Sequence, residues 1–190
     1  MRIDERGILT GAEFVSSPNF DDRPSMQVDL LVIHNISLPP GEFGGDGVLQ
    51  LFTNTLDAKS HPYYRNIADM KVSAHFFIRR DGRVIQFVPC SKRAWHAGLS
   101  SWQAHERCND FSIGIELEGS DALPFDDAQY VALQYLTKRL REAYPGCSIA
   151  GHSDIAPSRK TDPGPCFDWL RYLSGLVRDD GDKAVKGENI

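Results

Sequence analysis

Nowhere do the 190 residues approach the roughly 18 consecutive apolar positions of a membrane-spanning helix, so a protein anchored by such a helix is excluded. The first residues, Met1-Arg2-Ile3-Asp4-Glu5-Arg6-Gly7, are charged where a secretory signal needs an apolar core, and we expect the protein to stay in the cytoplasm. Cysteine is scarce: Cys90, Cys108, Cys147 and Cys166 are widely spaced and form no Cys-x-x-Cys pair, which argues against a disulfide scaffold or a cysteine zinc site. We expect free thiols, with Cys90, Cys108 and Cys166 as packing residues. Positive charge is also short, with 21 Lys and Arg against 26 Asp and Glu, a net charge of −5. Such a chain has no global field to collect nucleic acid or an anionic membrane, so any anionic ligand must be met by local cations. There is no internal repeat, and no His-Glu-x-x-His helix, which removes the commonest zinc peptidase.

What is present fits one domain. A hydrophobic fraction of 41% is ordinary for a globular chain of this length. We expect a domain over residues 1–177, its core at about 15–173, and a mobile polar tail at 178–190. Residues 1–28 read as a surface loop. Leu30-Leu31-Val32-Ile33-His34 is apolar on both alternating faces, as in a central strand covered on two sides. The breaker-rich 39–47 stretch predicts a loop, and 47–56 a short helix with Val48, Leu51 and Phe52 inward. Segments 74–79 and 83–88 flank Asp81-Gly82 and predict a hairpin. In 111–118, Ile113, Ile115 and Leu117 share one face, and Gly114, Glu116 and Glu118 the other.

A long helix over 127–144 is signalled by Asp126 and Gln129 as a capping box, by Phe125 with Tyr130 as a staple, and by Leu133, Leu136, Leu140, Ala143 and Tyr144 as an inner stripe. A shorter helix follows Pro165, with Phe167, Trp169, Leu170 and Leu173 as its apolar residues. The fold class is therefore α/β: a central mixed sheet, because the hairpin rules out an all-parallel one, flanked by helices.

The chemistry gathers at five residues. His34 ends a buried strand, and His152 and Asp162 lie in the polar stretch from Gly151 to Pro165. Two imidazoles and a carboxylate leave a fourth tetrahedral position for water, the pattern of a catalytic zinc. Lys160, two residues before Asp162 in a chain that Pro163 biases towards extension, faces the same side. Glu116 sits on rigid strand beside a glycine. From the residues alone, Lys160 reads equally as a solvated surface lysine and Asp162 as a turn carboxylate, and both alternatives stand. Trp95 offers a flat apolar face to a sugar ring or, equally, to the core.

Several segments together resemble the zinc N-acetylmuramoyl-L-alanine amidases: Val32-Ile33-His34-Asn35-Ile36-Ser37, Val72-Ser73-Ala74-His75-Phe76, Ala94-Trp95-His96-Ala97-Gly98, the run from Asn109 to Gly119, and Gly151 to Gly164. Within that superfamily the likeness is greatest to the cytoplasmic 1,6-anhydro-N-acetylmuramyl-L-alanine amidases, the AmpD type. The resemblance implies an amidase or peptidoglycan-recognition-protein-like fold, with zinc (Zn2+) held by His34, His152 and Asp162 and with Glu116 and Lys160 as the catalytic pair. It implies hydrolysis of the lactyl amide between 1,6-anhydro-N-acetylmuramic acid and L-alanine, in peptidoglycan recycling, by an enzyme we expect to be a monomer. It further implies that Asn35, Lys71, Arg107 and Ser153 bind the stem peptide, though the family pattern has arginine at Lys71, and a lysine keeps the charge without the bidentate fork. His75 is read as a strand residue and His96 as part of the cleft wall. Three alternatives remain: a peptidoglycan-fragment binding module without catalysis, an amidase of broader specificity, and a zinc peptidase of generic substrate.

Overall fold

A computed structural model describes residues 1–177; the tail expected at 178–190 lies outside the described residues. In chain order the elements are β1 (Glu13–Phe14), β2 (Phe20–Asp22), β3 (Leu30–Ile36), α1 (Gly47–Phe52), β4 (Phe76–Ile78), β5 (Val84–Gln86) and β6 (Lys92–Ala94). Then come β7 (Ser101–Trp102), β8 (His105–Glu106), β9 (Ser112–Glu118), α2 (Asp127–Ala143), β10 (Ser148–Gly151), α3 (His152–Ile155) and α4 (Trp169–Val177). Six strands form the main sheet in the order β1-β5-β4-β9-β3-β10. Every neighbouring pair is parallel except the β4–β5 hairpin. The sheet is thus mixed, as the hairpin requires.

The central strands β3 and β9 follow from their composition. Leu30, Leu31, Val32 and Ile33 have no exposure, and all seven residues of β9 are buried. Alternation assigns Ile113, Ile115 and Leu117 to the face that meets Leu133, Leu136 and Leu140 of α2. The other face, with Gly114, Glu116 and Glu118, lies inside the protein as well. Gln129 fastens α2 to the sheet: its Oε1 accepts from Asp126 N at 3.1 Å, and its Nε2 donates to Glu118 O at 3.0 Å and Ile78 O at 3.2 Å. Phe125 and Tyr130, the staple residues, are both in the core.

Several expectations need correction. Residues 1–28 are more than a surface loop: β1 pairs with β5, β2 pairs with β6, and Asn19 and Arg23 are buried. The hairpin ladder is shorter than 74–79 with 83–88, because only Phe76–Ile78 and Val84–Gln86 pair across a turn in which Gly82 takes φ +84°. In α2 the last inner position fails, since Ala143 is exposed. In α4, Leu170 and Leu173 face outward at 80% and 42% exposure. The helix instead turns Tyr172 inward, where its hydroxyl meets Thr137 Oγ1 at 2.6 Å, a buried pair that leucine cannot make.

The α2 face carries stability without touching the site. Leu136→Ala should destabilise the protein by about 2 to 5 kcal/mol, from lost burial and the cavity left behind, and leave metal content unchanged. Urea unfolding and elemental analysis of the same preparation check both halves.

Candidate metal centre and active site

Strand register assembles the centre. His34 on β3 lies directly opposite Glu116 on β9. On the other side Gly151 of β10 is opposite Ile33, so the next residue, His152, reaches the level of His34. Neighbouring strands are about 4.8 Å apart, and three adjacent parallel strands therefore deliver Glu116, His34 and His152 side by side at their carboxyl ends. Asp162 arrives from the loop after α3, whose first turn is tied to it by Ser153 N donating to Asp162 O at 2.9 Å.

Three atoms converge. His34 Nδ1, His152 Nδ1 and Asp162 Oδ2 lie 2.9, 3.0 and 3.1 Å from one another. A tetrahedral zinc with bonds of about 2.0 to 2.1 Å holds its ligand atoms roughly 3.3 Å apart, so a small shift accommodates the ion. The outward nitrogens are engaged elsewhere: His152 Nε2 with Ala97 O at 3.1 Å, and His34 Nε2 with His96 Nδ1 at 2.9 Å. Two imidazole lone pairs and a carboxylate pointing at one spot suit a divalent borderline cation. The residues fit the metal. Burial pushes the His34 imidazole down to about 4, which keeps it neutral and available as a ligand at ordinary pH.

Glu116 stands beside this group and outside it. Its Oε1 is 4.0 Å from His34 Nδ1, and its Oε2 is buried with no hydrogen-bond partner among the described residues. Burial, reinforced by the Asp162 carboxylate, raises its carboxyl well above the usual range, while Lys160 works the other way. Lys160 is half-buried in the wall of the same cleft.

The cleft encloses about 570 Å³. Its lining has an apolar set with Leu51, Phe52, Ile67, Met70, Val72 and Trp95. A polar set includes Ser37, Ser120, Asp121 and Thr161. Asn35 belongs to it, but its amide already donates to Asp121 Oδ1 at 2.7 Å and Pro163 O at 3.0 Å. Lys71 is exposed between two wall residues without joining the wall. Arg107 is also exposed and pairs with Asp110 at 3.2 Å, away from the cleft, and Ser153 is half-buried behind Asp162. Asp121 had no sequence signal, because its partner Asn35 is distant in the chain.

These features place the chain among the N-acetylmuramoyl-L-alanine amidases. The chain belongs to this family, whose sequence profile matches residues 24–165. It is 57% identical over 171 residues to the 1,6-anhydro-N-acetylmuramyl-L-alanine amidase AmpD of Escherichia coli (strain K12), which spans 88% of this chain and 93% of that protein. The crystal structure of a selenomethionine AmpD derivative superposes with a TM-score of 0.90 at 55% identity, covering 93% of this chain and all of that one. A more distant structure is the amidase AmiD from E. coli in complex with the substrate anhydro-N-acetylmuramic acid-L-Ala-D-γ-Glu-L-Lys. It shares 30% identity and a TM-score of 0.56, covering 90% of this chain and 62% of AmiD.

The buried carboxyl of Glu116 makes stability depend on pH with a definite sign. Its folded pKa is raised above the unfolded value, so its contribution is fully present below about pH 4.5 and is lost as pH rises towards the folded value. Glu116→Gln removes that loss. In metal-free protein the stability of the Gln variant relative to wild type should therefore grow between pH 5 and pH 8, as read from urea midpoints at each pH. A difference that is flat across that range would show that Glu116 ionises normally.

Proposed function

We propose that this protein is a zinc-dependent amidase that hydrolyses the lactyl amide between 1,6-anhydro-N-acetylmuramic acid and L-alanine, releasing the stem peptide in peptidoglycan recycling. One observation carries the proposal. Three lone-pair atoms meet within 3.1 Å beside a buried, unpartnered glutamate oxygen, in a chain 57% identical to an amidase of that name. The complex of AmiD with an anhydro-muramyl tripeptide supports the same substrate class. His34, His152 and Asp162 hold the ion. When bound, zinc supplies a Lewis acid and brings the pKa of a water to about 7.

The remaining chemistry belongs to the chain's own side chains. Glu116 takes a proton from the attacking water as its oxygen bonds to the lactyl carbonyl carbon. It then returns that proton to the alanine nitrogen as the C–N bond breaks, giving a carboxylate and a free peptide amine. Burial keeps this carboxyl easily protonated, as a group that must accept and return a proton requires. Lys160 donates to the carbonyl oxygen as it gains negative charge. Asn35, Lys71, Arg107, Ser153 and Trp95 form the proposed substrate-binding set. Asn35 and Trp95 lie in the cleft wall; for the other three the family resemblance is the support. The proposal includes a single catalytic domain over 1–177, a monomer, and action in the cytoplasm on soluble fragments.

Metal and chemistry are separable by substitution. His34→Ala, His152→Ala and Asp162→Ala should each lose zinc by elemental analysis of folded protein. Glu116→Ala and Lys160→Ala should keep it, while kcat falls by about 10² to 10⁴ for the former and about 10² to 10³ for the latter. Full zinc in the His152 variant would overturn the ligand assignment, and more than a tenth of wild-type kcat in Glu116→Ala would overturn the proton-transfer role.

Substrate choice has its own measurement. Product mass spectrometry should show cleavage between the lactyl group and L-alanine, with kcat/KM for anhydro-muramyl tripeptide far above that for the reducing-end muramyl tripeptide. A cleft that fits the bicyclic sugar gains its discrimination in the transition state. Equal rates on the two forms would sink the anhydro specificity and leave the amidase activity standing.

A further inference from the structure

The histidine ligands present their Nδ1 atoms to a common point, and an imidazole can do so only while its proton sits on Nε2. What holds the protons there is found one layer out. His152 Nε2 faces the carbonyl of Ala97 at 3.1 Å, and a carbonyl can only accept, so His152 carries its proton on Nε2. His34 is less simple, because its Nε2 faces another imidazole nitrogen, His96 Nδ1, at 2.9 Å. Which of the two donates is decided at the far side of His96.

There His96 Nε2 lies 3.2 Å from Ser112 Oγ, and Ser112 Oγ lies 2.5 Å from the carbonyl oxygen of Cys108. A serine hydroxyl has one hydrogen. Two oxygens this close must share one, and the carbonyl has none, so Ser112 donates to Cys108 O. Its oxygen is then an acceptor towards His96, and His96 Nε2 must donate. His96 Nδ1 is left as a lone pair, and it accepts from His34 Nε2. The chain of donors therefore runs from His34 through His96 and Ser112 to the Cys108 carbonyl, which as a fixed backbone acceptor sets the direction of every bond in it.

The segment bearing this relay is itself held in place. Asn109 Oδ1 accepts from both His96 N at 3.1 Å and Ala97 N at 2.8 Å. Gly114, beside Glu116 on β9, leaves room for the ring: a Cβ there would come within 2.4 Å of His96 Cγ. One dipeptide, His96-Ala97, thus carries the outward partners of both ligand histidines.

We propose that His96, directed by Ser112 and the Cys108 carbonyl, is a positioning residue of the metal centre that holds His34 in the tautomer with a free Nδ1. Partners of this kind raise the basicity of a ligating imidazole and fix its ring, and losing one costs about 10- to 100-fold in metal affinity. The inference rests on the ligand assignment proposed above. It does not place His96 in contact with metal or substrate.

The test uses zinc-loaded protein labelled with 15N in histidine. Long-range 1H–15N correlation should show His96 as the neutral tautomer protonated at Nε2, with a pyridine-type Nδ1. A proton on His96 Nδ1 would overturn the proposal without any variant. Zinc affinity, measured by chelator competition, should fall about 10- to 100-fold in His96→Leu and recover most of that loss in His96→Asn, whose Oδ1 offers an acceptor where Nδ1 stood. If the Leu variant binds zinc as wild type does, or if Asn is as poor as Leu, the ring acts through packing alone and the proposal fails. If wild type itself binds no zinc, the ligand assignment fails first and takes the inference with it. Should the Leu variant not fold, the wild-type spectrum and the Asn variant decide.

Discussion

Three acceptors forced to one point are the constraint on which the rest of this structure turns. His34 Nδ1, His152 Nδ1 and Asp162 Oδ2 at 2.9 to 3.1 Å repel one another unless something positive lies among them. A cation, or in its absence a proton on one of the rings, is the remedy. Such an arrangement persists only if the backbone beneath it is too rigid to relax, and β3, paired on both sides by parallel strands, supplies that rigidity. The same spacing explains why Glu116 is a neighbour of the centre and not a fourth ligand. The strand separation leaves its Oε1 4.0 Å from the nearest imidazole nitrogen, farther than the 2.9 to 3.1 Å between the three converging atoms.

The two faces of the sheet divide the burden. The face under α2 and α4 is a continuous apolar cluster and stabilises the fold in the ordinary way. The site face buries His75, Ser112 and Glu116 and half-buries His96, groups that cost stability unless each finds a partner. Most do. His75 Nδ1 accepts from Gly114 N at 3.0 Å and its Nε2 meets Lys92 O at 3.0 Å. Arg23, drawn in from the N-terminal segment, makes no ion pair with a carboxylate among the described residues; its guanidinium donates to the carbonyls of Cys90, Asn109, Asp110 and Ser112, the first residue of β9. Glu116 Oε2 is the exception on this face: among the described residues it is buried without a hydrogen-bond partner, which costs stability.

Sequence legibility follows from the range of each interaction. The strands β3 and β9, the helix α2 with its Gln129 fastening and the hairpin turn at Gly82 are written in patterns of two to eighteen residues, and they were readable. His34, Glu116 and His152 sit at the end of such a pattern or within one, whereas Lys160 and Asp162 read equally as surface residues until the family resemblance is added; the structure brings His34, His152 and Asp162 together. The N-terminal strands were not, since β1 and β2 are two and three residues long and are defined by partners some 70 residues away. Leu170 looked as apolar as any core residue, and only the Tyr172–Thr137 pair tells which side of α4 turns inward. Asn109 and Asp121 were invisible for the same reason: their importance lies in what they touch, and nothing local announces it.

The layering also bears on where specificity resides. In the proposed mechanism the metal ligands, Glu116 and Lys160 act on the amide group itself, so those inner residues would not by themselves choose a sugar. Choice falls to the cleft, whose apolar and polar walls come from opposite parts of the fold: Leu51, Phe52 and the 67–72 segment on one side, the 119–121 segment and Thr161 on the other. Asn35 and Ile36 of β3 also line the cleft, but the wall residues outside the sheet can vary while the register of His34 against Glu116 stays fixed. The Asn35 amide links the two functions, since it follows a metal ligand directly in β3 and spends its hydrogens on Asp121 and Pro163. The polar residue Asp121 is thus tied directly to the strand that bears His34.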